Sequence, residues 1–306
     1  MSRLVDWLVR ERSERVSHGL YYNTQIAMGY NSNHMEGSTL TPEQTAQLFT
    51  TGSVLADGPD DIIRADDVIE MGNHFRMFDW MLDHVDDPVD KTMVCTMQSI
   101  LKRGTSQESN PDRNIGGYKI LPNVISEIEQ IHTVLPADVP AAMNVVYELY
   151  RNLTDDPYAI ANAHWMFEST HPLSDGNGRV GRMIMFKELL RIDTVPVVVR
   201  DSQKLLYYRG LRNFSGEPGY LVDTLLSERD YYRDRFIEQL APSSTRMWTP
   251  GIGLPSSGVI LRSRRITPSS RITGIPLMCT SGLTRLPSSR MPPDGQVVPR
   301  TAGEVR

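Results

Sequence analysis

The chain is expected to fold as an all-α protein. Three observations point there. In the first 240 residues apolar side chains recur three and four positions apart in one segment after another, as at Val145, Val146, Leu149 and Leu153. Alternating apolar and polar runs are scarce. The 306 residues, 40% hydrophobic and 23% charged, have ordinary globular composition and enough length for one large or two modest cores.

The helical pattern begins with residues 4–36, with a break inside that span, and ends at Gly37, a residue suited to stopping a helix. Further helices are expected over 42–50, 65–84, 91–102, 139–153 and 158–170. The last of these is stopped because Pro172 disfavours helical geometry at His171. Residues 178–191, 202–214 and 220–240 complete the set. One exception is the stretch YKILPNVI at 118–125, where a Pro-Asn pair after Gly116 and Gly117 suits a small β-hairpin. The run VPVVV at 195–199 reads either as a short extended piece or as a buried connector.

Composition changes sharply after Leu240. Residues 241–306 hold nine Arg, no Lys and two acids, together with nine Pro and ten Ser, and show no lasting periodicity. This tail is expected to be disordered. The organisation expected is an N-terminal helical region over 1–45, a core domain over 46–240 and the tail over 241–306. The first 240 residues carry 23 basic against 35 acidic side chains, a poor match for nucleic-acid phosphates. No apolar run approaches the roughly 20 residues of a membrane span, and the N-terminus has no secretion signal, so a cytoplasmic location is expected. Cys95 and Cys279 form neither a disulfide framework nor a zinc pattern.

The stretch that carries chemistry is HPLSDGNGRVGR, residues 171–182, between two helical segments. Placing His171 at a loop entrance suits a general base, because an imidazole with a reference pKa of about 6.5 accepts protons at neutral pH. Gly176 and Gly178 permit backbone geometry closed to other residues, and the free amides of the next helix make an anion cradle. Arg179 and Arg182, three apart near that helix start, face an unfavourable dipole unless a polyanion offsets them. The ligand expected is a di- or triphosphate. Asp175 supplies one carboxylate for Mg²⁺, which is held by few protein oxygens plus phosphate oxygens. Asn177 is expected to donate its amide to the reacting phosphorus centre. No GxxxxGK(S/T) element occurs, which excludes a P-loop NTPase.

This stretch resembles the Fic signature HxFx(D/E)GNGRxxR, differing only at Leu173, where the family has Phe. The resemblance spans roughly residues 20–240. It implies a Fic-type helical fold, ATP as co-substrate with Mg²⁺, and transfer of AMP to a hydroxyl of a target protein. The intact GNGR sets the chain apart from Doc-like relatives. By the same resemblance His171 is the base, Asp175 the Mg²⁺ ligand, and Asn177 with the backbone of Gly176 and Gly178 holds the α-phosphate. Arg179 and Arg182 then face the β- and γ-phosphates. Tyr118, Lys119, Ile120 and Leu121 correspond to a flap that aligns the target segment. Tyr207, Tyr208 and Asn213 resemble the helix on the nucleoside side, although tyrosines at helical spacing also suit a core.

Near the start, NSNHMEG places Ser32 and Glu36 on one helix face, followed by Gly37. Read alone this is the end of an amphipathic helix. Beside the loop it resembles the inhibitory motif (S/T)xxxE(G/N) of one Fic class. A Glu36 carboxylate paired bidentately with Arg182 would exclude the γ-phosphate. The expected function is an autoinhibited protein adenylyltransferase acting on a Ser, Thr or Tyr hydroxyl and on itself. Removal of AMP from a modified protein by the same fold, or a non-catalytic ATP-binding module, are the alternatives.

Overall fold

A computed structural model describes residues 3–58, 61–123 and 133–240. The chain divides into two units, Met1–Gly253 and Leu254–Arg306, and every described residue belongs to the first. The tail over 241–306 therefore lies outside the described residues. Those residues are helical, with no β-strand among them.

The N-terminal span breaks in two as expected: α1 (Leu4–Glu14) and α2 (Leu20–Met35). Arg15 and His18 take left-handed backbone at the break. Glu11 fastens the corner by accepting from Trp7 Nε1 and the Tyr21 backbone, both at 2.8 Å. A capping box of Thr41 and Gln44 starts α3 (Pro42–Thr51). The expected boundary at residue 45 thus falls inside a helix. Next come α4 (Ala65–Asp83) and α5 (Lys91–Lys102), the latter capped by Asp90, and α6 (Val139–Arg151). Asp156 caps α7 (Pro157–Thr170) by accepting from the Ala159 amide at 2.9 Å. The set closes with α8 (Asn177–Arg191), α9 (Lys204–Asn213) and α10 (Gly219–Tyr232), which continues through a π-turn over Arg233–Ile237.

The helix α8 is the axis of the fold. Every residue from Asn177 to Leu190 is buried, and the helix packs against α2, α4, α5 and α7. A helix covered on all sides must be apolar or have its charges paired. Lys187, wholly buried, donates to Glu188 at 2.6 Å and to the Asp87 carbonyl. The VPVVV run is a buried connector; Val195, Val197, Val198 and Val199 all enter the main core. No helix among the described residues is long and apolar enough to cross a membrane.

The hairpin expected at 118–125 lies only in part within the described residues. Residues 118–123 carry no strand, and 124–125 lie outside the described residues. The segment lies alongside the loop: the Lys119 amide donates to the Pro172 carbonyl at 2.8 Å, and Asn123 Nδ2 to the Leu173 carbonyl at 3.1 Å.

Candidate nucleotide-binding loop

The turn between α7 and α8 gathers the charged groups of the molecule's centre. His171 is the residue after α7, in left-handed backbone at φ 50°, with its amide still bonded to the Phe167 carbonyl at 3.0 Å. This swings the imidazole off the helix axis before Pro172 turns the chain away. His171 Nδ1 lies 3.3 Å from the Glu168 carbonyl. A carbonyl only accepts, so Nδ1 carries the proton and Nε2 keeps its lone pair. Burial lowers the imidazole pKa to about 4, reinforced by Lys119 and opposed by the Glu168 bond, so the ring is neutral at neutral pH.

Leu173 is fully buried, filling the core position that the signature assigns to Phe. Its backbone is clamped by one side chain: the Leu173 amide donates to Asn177 Oδ1 at 2.8 Å, and Asn177 Nδ2 donates to the Leu173 carbonyl at 2.9 Å. The Asn177 side chain thus braces the loop four residues back, with the second hydrogen of its amide left for a further acceptor.

Gly176 stands at φ 82°, a left-handed geometry, and a Cβ there would lie 2.9 Å from Leu101 Cδ2. A Cβ on Gly178 would meet Glu36 Oε1 at 2.2 Å and Arg182 NH1 at 2.8 Å. Glu36 therefore rests its carboxylate directly over the first turn of α8, where free amides and the helix dipole favour an anion.

Arg182 has three acceptors. Its Nε donates to Ser32 Oγ at 3.0 Å, and its NH2 donates to the Ser32 carbonyl at 2.9 Å and to Glu36 Oε1 at 2.8 Å. The expected bidentate pair is thus replaced by a single contact to Glu36, with Ser32 holding the rest of the guanidinium. Burial opposes ionisation of Glu36, but Arg182 and then Arg179 outweigh it and hold the carboxyl below its usual range. Gly37 follows at φ 93°, its carbonyl accepting from Arg64 at 2.6 Å.

Arg179, 6% exposed at the side chain, donates to Glu70 of α4 and to Asn33 Oδ1 at 3.3 Å. Asp175 accepts from Lys102 and, through Oδ1, from the Gly176 amide at 2.7 Å. Desolvation works against its charge, yet Lys102 and Arg179 prevail and keep it firmly ionised. Among the described residues no three His, Cys, Asp or Glu side chains gather to hold a metal. One ionised, part-exposed carboxylate fits Mg²⁺, which takes most of its ligands from phosphate and water.

The tyrosines of α9 separate. Tyr207 is fully buried, its hydroxyl 2.6 Å from His164 Nε2, and offers no surface to a nucleoside; that expectation is corrected in favour of the core. Tyr208 stays at the edge, donating to the Met35 carbonyl at 3.4 Å. Asn213 closes α9, its carbonyl accepting from Gly216 and Glu217 at 3.0 and 2.8 Å, away from the loop's hydrogen bonds. In the flap segment Tyr118 bonds Tyr147, Lys119 Nζ donates to Asn123 and Thr133, and Ile120 and Leu121 are about half exposed.

Three residues of the centre carry no motif signal: Glu70, Lys102 and Glu168. Burial raises Glu168 to about 7, partly offset by Arg182. Their positions on helix faces read as ordinary amphipathic polarity, and only the packing brings them to the loop.

A buried helix N-terminus carries two arginines, is covered by a carboxylate and lies beside a neutral histidine, a set of groups suited to an anion. Residues 88–189 match the model of the Fic/DOC family. The chain is 23% identical over 194 residues to the protein adenylyltransferase Fic of Drosophila willistoni and 25% identical over 191 residues to that of Nematostella vectensis. It spans about 35% and 41% of the length of these two curated relatives, and the matches cover 60% of the chain. Its fold is similar to that of a Fic domain containing signalling protein from Bacteroides thetaiotaomicron, with a TM-score of 0.59 at 21% identity, covering 77% of this chain and 93% of the other. Fic-1 from C. elegans gives 0.58 at 18% identity, covering 76% and 70%.

Proposed function

We propose that this chain is a protein adenylyltransferase restrained by its own Glu36. A Ser, Thr or Tyr hydroxyl of a target protein, or of the chain itself, enters beside His171. Nε2 takes the hydroxyl proton as the oxygen forms a bond to the α-phosphorus of ATP. The bond from that phosphorus to the bridging β-phosphate oxygen breaks, and pyrophosphate leaves. The amides at Gly176 and Gly178 and the start of α8 stabilise charge on the α-phosphate, while Arg179 and Arg182 bind the outer phosphates. Mg²⁺ held by Asp175 and phosphate oxygens would neutralise charge between the phosphates. Asn177 contributes by keeping the loop in register. Residues 1–45 then serve as the regulatory part and 46–240 as the catalytic part, acting in the cytoplasm.

One observation carries this reading: the Glu36 carboxylate occupies the cradle over Gly178 while bonding Arg182. Its oxygens stand where a phosphate would find the same donors. Incubation with labelled ATP and Mg²⁺ tests it. Glu36→Gly should label itself or proteins of a lysate well above the wild type, and His171→Ala in that background should abolish labelling. Equal, substantial labelling of all three forms would refute the assignment.

A further inference from the structure

Two charges beside the loop, Lys102 and Glu70, have no part in the chemistry above. Lys102 closes α5 with its side chain 1% exposed, and its Nζ lies between Glu70 Oε1, at 2.6 Å, and Asp175 Oδ2. Arg179 takes the other oxygen of Glu70 and lies 3.8 Å from the other oxygen of Asp175. Cation and anion alternate around a closed ring built from α4, α5, the loop and α8. The stem of Lys102 runs along the loop, since a Cβ on Gly176 would stand 3.7 Å from Lys102 Cε. Arg179 Nε is buried and has no acceptor among the described residues.

Burying an ammonium is costly, and filling space at the end of α5 needs only an apolar side chain. The position of Lys102 matters for what comes next to it. An ionised Asp175 repels phosphate oxygens unless a cation stands between them, which is the service a divalent ion performs. Lys102 already neutralises Asp175 from the buried side. With Glu36 displaced, Lys102, Arg179 and Arg182 face Glu70, Asp175 and Glu168, the last held near half-ionised at neutral pH by burial, which leaves the cradle with an excess of positive charge.

We propose that Lys102 is a resident counter-cation of the polyphosphate site. As phosphate enters, Arg179 turns from Glu70 to the ligand, Glu70 stays with Lys102, and Lys102 cancels the Asp175 charge, so the site binds ATP without a divalent metal. Lys102 acts through Asp175 and is a positioning residue. The inference rests on the ATP reading of the loop.

The test is calorimetric titration of ATP into the full chain in the Glu36→Gly background, once in EDTA and once in Mg²⁺. Lys102→Met should weaken binding in EDTA by about tenfold, the loss of one charge-assisted contact, with at most about a threefold change in Mg²⁺. Lys102→Arg should retain binding in EDTA. Glu70→Gln should tighten it, because Arg179 is released and Lys102 serves Asp175 alone. Losses of equal size in EDTA and Mg²⁺ for Lys102→Met, or a parent that binds ATP only with metal, would overturn the inference. If Lys102→Met does not fold, weakened binding in EDTA by Glu70→Gln overturns it equally. A parent that binds no ATP in either condition would instead overturn the ATP reading beneath it.

Discussion

Replacing Glu36 should raise ATP affinity, and the structure gives the size of the gain. Arg182, 4% exposed at the side chain, keeps two acceptors on Ser32 at 3.0 and 2.9 Å whatever happens to Glu36. The bond at stake is the single contact to Glu36 Oε1 at 2.8 Å. A hydrogen bond between charged groups contributes about 1.5–3 kcal/mol. The Glu36 side chain is 28% exposed, so solvent screening puts this one near the lower limit. About 1.5 kcal/mol corresponds to roughly tenfold in apparent ATP affinity for Glu36→Gly. Glu36→Gln keeps the bulk over Gly178 while losing the charge, so its gain should be smaller. Thermal melting should shift little, since Ser32 still satisfies the guanidinium. Calorimetry of Mg²⁺-ATP binding to the three forms decides the matter. Unchanged affinity in both variants, with folding intact, would mean that Glu36 does not compete with phosphate.

Three further outcomes follow from the geometry. Because the folded pKa of His171 is about 4, kcat/KM of the Glu36→Gly form should stay flat from neutral pH to about pH 5 and fall only as pH drops through about 4; an acid limb near 6.5 would contradict this. Asn177→Ala removes both bonds to Leu173 and should cost about 1–3 kcal/mol in urea unfolding along with ATP binding; an undiminished unfolding midpoint would return Asn177 to a purely phosphate-facing role. His74 and His164 are driven to about 3, mainly by burial and then by neighbouring arginines, below an unfolded value near 6.5. Their folded pKa values lie below the unfolded ones, so stability is complete above about pH 6.5 and is lost as pH falls toward 3, by about 1.4 kcal/mol per pH unit for each histidine in that window. Both ring nitrogens of His74 lack hydrogen-bond partners among the described residues, so His74→Leu should hold stability at pH 7 and flatten the acid loss by one histidine's share, read from urea midpoints at pH 8 and pH 5.

The helices were legible because their cores are written in local spacing. The residues stopping α7 and α2, Pro172 and Gly37, act within one or two positions of the break. The polar groups of the loop were legible for the same reason, with histidine, carboxylate, glycines and arginines in one short run. What escaped the sequence depends on which way a side chain turns or on what tertiary packing delivers. Tyr207 and Tyr208 are neighbours on α9, about 100° apart around the helix. One must therefore point inward when the other reaches the edge, and spacing alone does not say which. An Asn amide serves a phosphate or a backbone equally well, and the carbonyl that captures Asn177 belongs to a residue on the far side of the turn. Glu70 and Lys102 sit 32 positions apart on different helices. Each reads as solvated polarity until α4 and α5 pack against the loop. Of the stretch expected as a hairpin, residues 118–123 carry no strand, and two of their hydrogen bonds go to the loop, from the Lys119 amide to Pro172 and from Asn123 to Leu173.

The restraint proposed for Glu36 has a mechanical consequence. The helix that carries it is fastened along its length: Tyr21 donates to Asp79 at 2.6 Å, Gln25 Nε2 to the Phe75 carbonyl at 3.3 Å, Thr24 pairs with Tyr232 at 2.7 Å, and Asn33 Oδ1 accepts from Arg179. Past its end, Arg64 joins the Gly37 carbonyl to Asp67. Undocking α2 would break all of these. Glu36, however, lies one residue beyond the last helical position, with part of its side chain in solvent and a single ion-pair contact to give up. Rotation of that one side chain clears the cradle while Ser32 continues to orient Arg182 for an incoming phosphate. Release on this reading is a local event costing about one charge-assisted hydrogen bond, so a partner or an ATP concentration sufficient to outcompete that bond is enough, and no rearrangement of the helical scaffold is required.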